Sequence, residues 1–390
     1  MTDHRLELAD VIRTHERDFL ARWNHVLSRE QRKALRNLRD CRTAALGGHV
    51  QQCDRCGHRV ILYNSCRNRH CNKCQATARA RWLEQRQAEL LRVPYFHVVF
   101  TLPQQIARLA LQNPKQIYTI LFRAASETLL TIAADPRHLG ASIGFLAVLH
   151  TWGQTLHLHP HLHCVVPGGG ISLDGSRWIA CRRRFFLPVR VLSRLFRKKF
   201  LKSLRSAFRG GALHLSGELQ SLKEPAAFQT LCHHAARVEW VVYAKPPFGG
   251  PERVLKYLAR YTHRVAISNH RLQSLKDGRV SFQAKDYADR GRTKTVTLEA
   301  VEFIRRFLLH VLPSGFVRIR QFGFLCNRVR RQKLELCRVL LGARQPALIA
   351  SPAAADIHLE DPLHCPVCKL GRLILIELLS APLVAAHDTS

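Results

Sequence analysis

One short stretch constrains this chain more than any other, residues 156–170, which read LHLHPHLHCVVPGGG. Proline is poorly tolerated inside a strand, so the sequence predicts a strand that begins after Pro160 and continues through Val166. Alternate side chains of a strand share one face, which places the imidazoles of His161 and His163 side by side. Neutral imidazole is the commonest metal ligand, and two imidazoles leave coordination positions open for a substrate. We therefore expect a catalytic metal site on this strand, and the alternative is a polar strand face that binds no metal.

The chain carries a large excess of positive charge. Its 390 residues include 61 Lys and Arg against 28 Asp and Glu, a net charge of +33. The excess is spread along the whole chain, which indicates folded surfaces that attract a polyanion. The N-terminus lacks a signal peptide's apolar segment, and no uninterrupted apolar run has the roughly 18–20 residues that a membrane span requires. We expect a cytoplasmic, nucleoid-associated protein that binds nucleic acid and no membrane; its oligomeric state stays open.

Cysteine spacing predicts a structural metal site. The chain has 13 cysteines, and in a chain without a secretion signal, close cysteine pairs indicate metal and not disulfides. The pairs Cys53-x2-Cys56 and Cys71-x2-Cys74 are separated by fourteen residues that include the apolar run VILY. Two such turns can place four thiolates around one ion, so we predict a structural Zn2+ bound by Cys53, Cys56, Cys71 and Cys74.

Other potential ligands remain outside this predicted site. They form either a second metal site or packed core cysteines with surface histidines, and they are Cys41, His49, Cys66 and His70. Near the C-terminus, the pair Cys365-x2-Cys368 lacks two evident partner ligands, although His358 or His364 lies close to it. A zinc site at this isolated pair is therefore only weakly indicated.

The order of helical and strand patterns predicts the fold class. Apolar residues at three- and four-residue spacing predict helices over residues 1 to about 46, with Ser28 and Gln31 as a capping box. Beyond them the order strand, helices, strand, strand, helix, strand, helix favours an α+β fold with a mostly antiparallel sheet. We predict a helical and zinc-binding domain over residues 1–90, a catalytic domain over 91–340, and a linker and tail over 341–390.

A second motif lies about ninety residues after the histidines, in the sequence PPFGGPERVLKYLARYTHRVAIS. Glycine and proline predict a helix start, and Tyr257 and Tyr261 are four residues apart, so their phenols share one helical face. The alternative is that the two tyrosines pack in the core of an amphipathic helix. The basic surroundings favour a role in DNA chemistry, with a neighbouring stripe that consists of Lys256, Arg260 and Arg264.

These motifs resemble those of a known family. HPHLHCVVPGGG followed by YLARYTHRVAIS is similar to the two-tyrosine HUH transposases of the IS91 family of rolling-circle insertion sequences, and the cysteine-rich GGHVQQCDRCGH is similar too. The resemblance extends from the zinc-binding region to about Arg331. It implies an HUH endonuclease domain with a central antiparallel sheet and flanking helices, preceded by a small helical and zinc-ribbon domain.

The resemblance also implies roles for individual residues. His161 and His163 would bind Mg2+ or Mn2+, and Tyr257 and Tyr261 would be the nucleophiles that cleave and rejoin single-stranded DNA at element ends through 5′-phosphotyrosine intermediates. Sites of this kind usually have a third ligand. The choice between the candidates stays open; they are Gln154 and His150, followed by the weaker candidates His263 and Gln104. The competing hypothesis is a non-catalytic, zinc-containing DNA-binding regulator.

Overall fold

A computed structural model of the protein describes residues 5–182, 184–248, 266–286, 289, 291–342 and 364–382, with only the backbone described at 76–79, 81 and 246–248. The described α-helices are α1 (Leu8–Trp23), α2 (Arg29–Asp40), α3 (Asn72–Gln87), α4 (Gln104–Ala107), α5 (Leu109–Gln112), α6 (Pro114–Ala134), α7 (Val189–Arg209), α8 (Pro225–Arg237), α9 (Ala300–Leu308) and α10 (Arg330–Leu340). The described strands are β1 (Gly48–Cys53), β2 (Arg59–Tyr63), β3 (Tyr95–Thr101), β4 (Ala141–Ser142), β5 (Gly144–Trp152), β6 (Leu158–Pro167), β7 (Gly169–Ser172), β8 (Trp178–Ala180), β9 (Val242–Phe248), β10 (Leu272–Lys276), β11 (Arg279–Asp286), β12 (Arg292–Glu299), β13 (Ile319–Gly323) and β14 (Leu373–Leu379).

A five-stranded antiparallel sheet forms the centre of the fold, in the order β13-β5-β6-β3-β9. Three smaller sheets have the orders β14-β1-β2, β10-β11-β12 and β4-β7-β8. Every strand pair in the described part of the chain is antiparallel. The prediction of an α+β fold with a central antiparallel sheet is therefore confirmed.

The histidine strand occupies the middle of the central sheet. Strand β6 begins at Leu158, so Pro160 lies inside the strand and not before it as the sequence suggested. The carbonyl oxygen of Pro160 accepts the backbone N–H of Leu102, so its backbone faces β3, and β3 ends one residue earlier at Thr101, which pairs with His161. The missing N–H of Pro160 therefore falls where no ladder hydrogen bond is needed.

One face of the central sheet packs against α6 and α7. Phe100, Phe145 and Leu162, from three neighbouring strands, are buried in a core with the apolar sides of these two helices. Because side chains alternate along a strand, burial of Leu162 on this side turns His161 and His163 to the opposite face. The core thus fixes which face carries the histidines.

Helix α6, Pro114–Ala134, is long and apolar enough to cross a bilayer by length and composition alone. Its most apolar window has a mean hydropathy of 1.3, and 67% of that window is buried inside the protein. Lys115, Arg123 and Glu127 interrupt the apolar sequence of this helix, so it is not an uninterrupted apolar run. Its burial beside the sheet makes it a core helix of the fold.

The N-terminal helices share a core with a later part of the chain. The capping box is confirmed, since the backbone N–H of Gln31 donates to the Ser28 hydroxyl and the backbone N–H of Ser28 donates to the Gln31 side chain. Phe19 of α1 lies in one buried cluster with Phe282 of β11 and Phe303 of α9. Helices α1 and α2 therefore pack on residues that lie more than two hundred positions later in the sequence.

Candidate functional site

Three histidines form a cluster on the face of the central sheet opposite α6 and α7. His161 and His163 follow each other on that face of β6, and His150 of β5 pairs directly with His161. One ligand nitrogen of each of the three lies within 4.8 Å of the others. Of the candidates for a third ligand, His150 belongs to this cluster, whereas the side-chain oxygen of Gln154 accepts a hydrogen bond from the backbone N–H of Lys285 at 3.3 Å.

The environment keeps the imidazoles of His161 and His163 neutral. Burial lowers the pKa of His161 to about 4 and lowers the pKa of His163 well below its usual value. Nδ1 of His161 lies 2.6 Å from the backbone oxygen of His159, which can only accept, so Nδ1 carries the proton and Nε2 is left to bind a metal. Nδ1 of His163 lies 2.8 Å from Nε2 of His97 on β3, which fixes the orientation of the ring.

Aromatic and basic residues surround the cluster. The Trp152 ring stacks on His150 with 4.5 Å between ring centroids, and Tyr243 of β9 meets the edge of the His97 ring at 6.0 Å. The ammonium of Lys245, also on β9, lies 5.8 Å from the centre of the Tyr243 ring. After burial, the charge of Lys245 is the next cause that lowers the pKa of His97, to about 3. The Lys245 ammonium therefore lies beside the histidines, where it would attract a phosphate of a nucleic acid.

The predicted tyrosine helix lies outside the described residues. This applies to both proposed nucleophiles, to the basic stripe and to one weak ligand candidate, which are Tyr257, Tyr261, Lys256, Arg260, Arg264 and His263. Their roles stay predictions. Gln104, the other weak candidate, is exposed at the start of α4.

The cysteines are arranged differently from the sequence prediction. The four that were predicted to bind one zinc together, Cys53, Cys56, Cys71 and Cys74, do not lie in one place. The thiols instead form two clusters of four, which are Cys41, Cys66, Cys71 and Cys74, and Cys53, Cys56, Cys365 and Cys368. The C-terminal pair Cys365 and Cys368, which is isolated in the sequence, thus has two partners in Cys53 and Cys56.

Strand geometry explains this arrangement. Cys53 and Cys56 lie at the turn between β1 and β2, and β2 then continues for five residues before the chain reaches Cys66. At about 3.3 Å per residue, this strand carries the chain about 16 Å away from the turn. Cys71 and Cys74, at the start of α3, therefore lie near Cys41 at the end of α2.

The first cluster has the dimensions of a tetrahedral thiolate site. Its Sγ–Sγ distances are 3.5 Å for Cys41–Cys71, 3.6 Å for Cys41–Cys74 and 3.7 Å for Cys66–Cys74. With a Zn–S distance of about 2.3 Å, a tetrahedral site requires sulfurs about 3.8 Å apart. Hydrogen bonding with Cys66 lowers the pKa of Cys71 to about 5, which favours the thiolate that zinc needs.

His70, a candidate for a second metal site from its position near the cysteine pairs, is a buried structural residue. Its Nε2 accepts the backbone N–H of Leu312, and its Nδ1 lies 3.1 Å from the side-chain oxygen of Asn68. His49, the other histidine of that group, lies on β1. The first cluster is therefore completed by Cys41 and Cys66, with neither histidine.

Comparison with known proteins identifies the family. A family model described as "Transposase zinc-binding domain", of the IS91 type, matches residues 11–102, and one described as "Putative transposase" matches residues 144–333. A relative named "Putative transposase y4qJ", from Sinorhizobium fredii, is 56% identical over 379 residues, covering 95% of each chain. The chain belongs to the IS91 family of transposases. The transposase for insertion sequence element IS801 from Pseudomonas savastanoi pv. phaseolicola is 27% identical over 338 residues, 84% of this chain and 79% of that protein.

No solved structure matches this transposase. The two matched family regions contain most, but not all, of the candidate site residues. The histidine cluster and both tyrosines fall within residues 144–333, and the first cysteine cluster falls within residues 11–102. Cys365 and Cys368 lie outside both regions.

Proposed function

We propose that this transposase cleaves and rejoins single-stranded DNA at the ends of an insertion sequence through 5′-phosphotyrosine intermediates, in the cytoplasm and at the nucleoid. The observation that carries the proposal is the cluster of three imidazoles on one face of the central sheet. His150, His161 and His163 would hold Mn2+ or Mg2+, and a metal bound there supplies a Lewis acid for the charge that builds on the phosphate oxygens.

The donor atoms favour one of these two metals. Mg2+ prefers hard carboxylate oxygens, whereas imidazole nitrogen is a softer donor that suits transition metals. The cluster of described residues consists of histidines alone. We therefore expect Mn2+ to support faster cleavage than Mg2+ at equal concentration.

The proposed reaction uses the two tyrosines in turn. The phenol oxygen of Tyr257 or Tyr261 forms a bond to phosphorus while the bond from phosphorus to the 3′-oxygen breaks, and the phenol proton ends on that 3′-oxygen. The phosphotyrosine conserves the energy of the phosphodiester, so attack by a 3′-hydroxyl rejoins the strand without ATP. The basic stripe of Lys256, Arg260 and Arg264 would bind the phosphates next to the reacting one.

A covalent adduct is the decisive measurement. The protein is incubated with Mn2+ and end-labelled single-stranded DNA that carries the element end, and the products are separated on a denaturing gel. We expect a labelled protein band that disappears in the Tyr257→Phe/Tyr261→Phe variant and persists in Tyr63→Phe, a matched exposed tyrosine of the zinc-binding region. DNA binding without any adduct from the unmodified protein would instead support a non-catalytic regulator, and cleavage without an adduct would support a hydrolase.

A further inference from the structure

We infer that this transposase binds two zinc ions, and that the second is held jointly by Cys53, Cys56, Cys365 and Cys368, so that a zinc ion fastens the C-terminal segment onto the N-terminal zinc-binding region. This second zinc site is independent of the proposed reaction. It assigns a role to residues 364–382, which lie beyond both matched family regions.

The distances between the sulfurs fit the site. The Sγ atoms of Cys53 and Cys368 are 3.6 Å apart, and those of Cys56 and Cys365 are also 3.6 Å apart, across 309 residues of sequence. These distances are close to the roughly 3.8 Å of a zinc tetrathiolate and far from the roughly 2.05 Å of a disulfide. The four thiols are therefore spaced to bind one ion.

Backbone amides on both turns point at the sulfurs. The N–H groups of Arg55 and Cys56 donate to Sγ of Cys53 at 3.4 and 3.5 Å, and the N–H of Gly371 donates to Sγ of Cys368 at 3.3 Å. Amide donors stabilise a thiolate, because they compensate its negative charge. Each cysteine pair thus lies on a turn that is already shaped for metal binding.

The two turns also hold each other directly. The backbone N–H of Asp54 donates to the carbonyl oxygen of Arg372 at 3.0 Å, and the N–H of Arg372 donates to the Asp54 carboxylate at 2.8 Å. Strand β14 then continues along β1, with Cys53 paired with Leu373. The C-terminal segment is therefore built into the edge of the N-terminal sheet.

The small sheet has too little core to explain this association by apolar packing. The sheet β14-β1-β2 leaves Ile61, Ile374 and Leu378 exposed to 54%, 51% and 75%. The buried apolar cluster beside the cysteines contains Leu373 together with two of the thiols themselves. Small units of this kind generally need a metal or a disulfide to supply the folding free energy that the core does not.

Zinc stoichiometry tests the inference without reference to DNA cleavage. The full-length protein is purified under reducing conditions, and zinc and protein are quantified by mass spectrometry and amino-acid analysis. We expect two zinc ions per chain in the unmodified protein and one in Cys365→Ser/Cys368→Ser. The control Cys326→Ser, which removes a thiol outside both clusters, should retain two. One zinc per unmodified chain, or two in the double variant, would overturn the inference.

A spectroscopic titration covers the case in which the double variant does not fold. The unmodified protein is depleted of zinc and titrated with Co2+, and the thiolate-to-cobalt charge-transfer absorption is followed. We expect this absorption to rise until two equivalents are bound. Saturation at one equivalent would contradict a second tetrathiolate site.

Discussion

Nε2 of His97 lies 2.8 Å from Nδ1 of His163, so a residue on β3 orients a candidate metal ligand on β6. His97 is itself buried and its pKa is lowered to about 3, which keeps the contact between two neutral rings. Partners that orient a ligand in this way typically change metal affinity by about 10–100-fold when they are removed. His97 is therefore a positioning residue in the proposed site.

We predict that His97→Ala raises the Mn2+ concentration needed for half-maximal DNA cleavage by about 10–100-fold, because His163 loses the contact that fixes its ring. Cleavage at saturating Mn2+ should largely recover. The glutamine side chain of the His97→Gln variant can still hydrogen-bond to His163. Its half-maximal Mn2+ concentration should therefore lie between those of the unmodified protein and His97→Ala. An unchanged Mn2+ dependence in His97→Ala would remove His97 from the site.

His150 and Gln154 can be separated by paired substitutions. We expect His150→Ala to reduce cleavage by at least about 100-fold while single-stranded DNA binding is retained, because one of three metal ligands is lost. The Gln154→Ala variant should cleave almost normally, because the Gln154 side chain accepts a hydrogen bond from the backbone N–H of Lys285 and does not belong to the histidine cluster. His233→Ala, which removes an exposed histidine on α8, is the control. Loss of activity in Gln154→Ala with normal activity in His150→Ala would reverse the assignment.

The histidine strand could be predicted from sequence because alternation along a strand is a local property. His161 and His163 share a face whatever the rest of the chain does. No local pattern identifies His150 as the third ligand, because it becomes a neighbour of His161 only through the pairing of β5 with β6, and the register shift before Trp152 is not visible in the sequence.

The cysteines show where sequence reasoning fails. The spacing Cys-x2-Cys identifies two thiols on one turn, but it contains no information about which turns meet. Here Cys53 and Cys56 meet a turn 309 residues later, and Cys71 and Cys74 meet two single cysteines, Cys41 and Cys66. Cys41 and Cys66, two single cysteines close in sequence to these pairs, are the sequence signal that indicates a second metal site.

Acid should destabilise the fold through His310. This imidazole is fully buried between the Thr151 hydroxyl and the backbone oxygen of Leu156, and burial lowers its pKa to about 4. The unfolded chain, with a pKa near 6.5, binds the proton more readily, so stability falls as pH drops from about 6.5 towards 4. We predict that this histidine alone contributes a loss of about 2 kcal/mol between pH 7.5 and pH 5.

Urea unfolding of the unmodified protein and of His310→Gln at both pH values measures this contribution. The difference in the free energy of unfolding between pH 7.5 and pH 5 should be smaller in His310→Gln by about 2 kcal/mol. His233→Gln should behave like the unmodified protein. The same pH dependence in all three proteins would show that His310 is not responsible.

The basic face of α7 is a candidate DNA contact. Arg194, Lys198 and Lys202 are exposed at four-residue spacing, so they form one stripe along the helix. If each binds one phosphate of a single strand, replacing all three by Gln should lower the slope of log Kd against log salt by about 2. A charge-matched control replaces Arg29, Lys33 and Arg36 on the outer face of α2. An equal decrease of this slope in the two variants would indicate that the affinity depends on net charge and not on this stripe.

Gly371 offers the mildest test of the second zinc site. A Cβ atom at this position would collide with Sγ of Cys53 and would lie against the Asp54 carboxylate, so the two turns could not approach as closely. We predict that the Gly371→Ala variant loses one of its two zinc ions to a chelator at least about 10-fold faster, because the added Cβ atom separates the two turns. A 10-fold change corresponds to about 1.4 kcal/mol of lost site stability. The other zinc, held by Cys41, Cys66, Cys71 and Cys74, should leave at the normal rate.

Gly210→Ala, at the end of α7 and distant in sequence from all eight thiols, serves as the control. Equal acceleration of both ions in Gly371→Ala would mean that the substitution loosens the whole region, and unchanged release would mean that the Gly371 turn does not close around a metal.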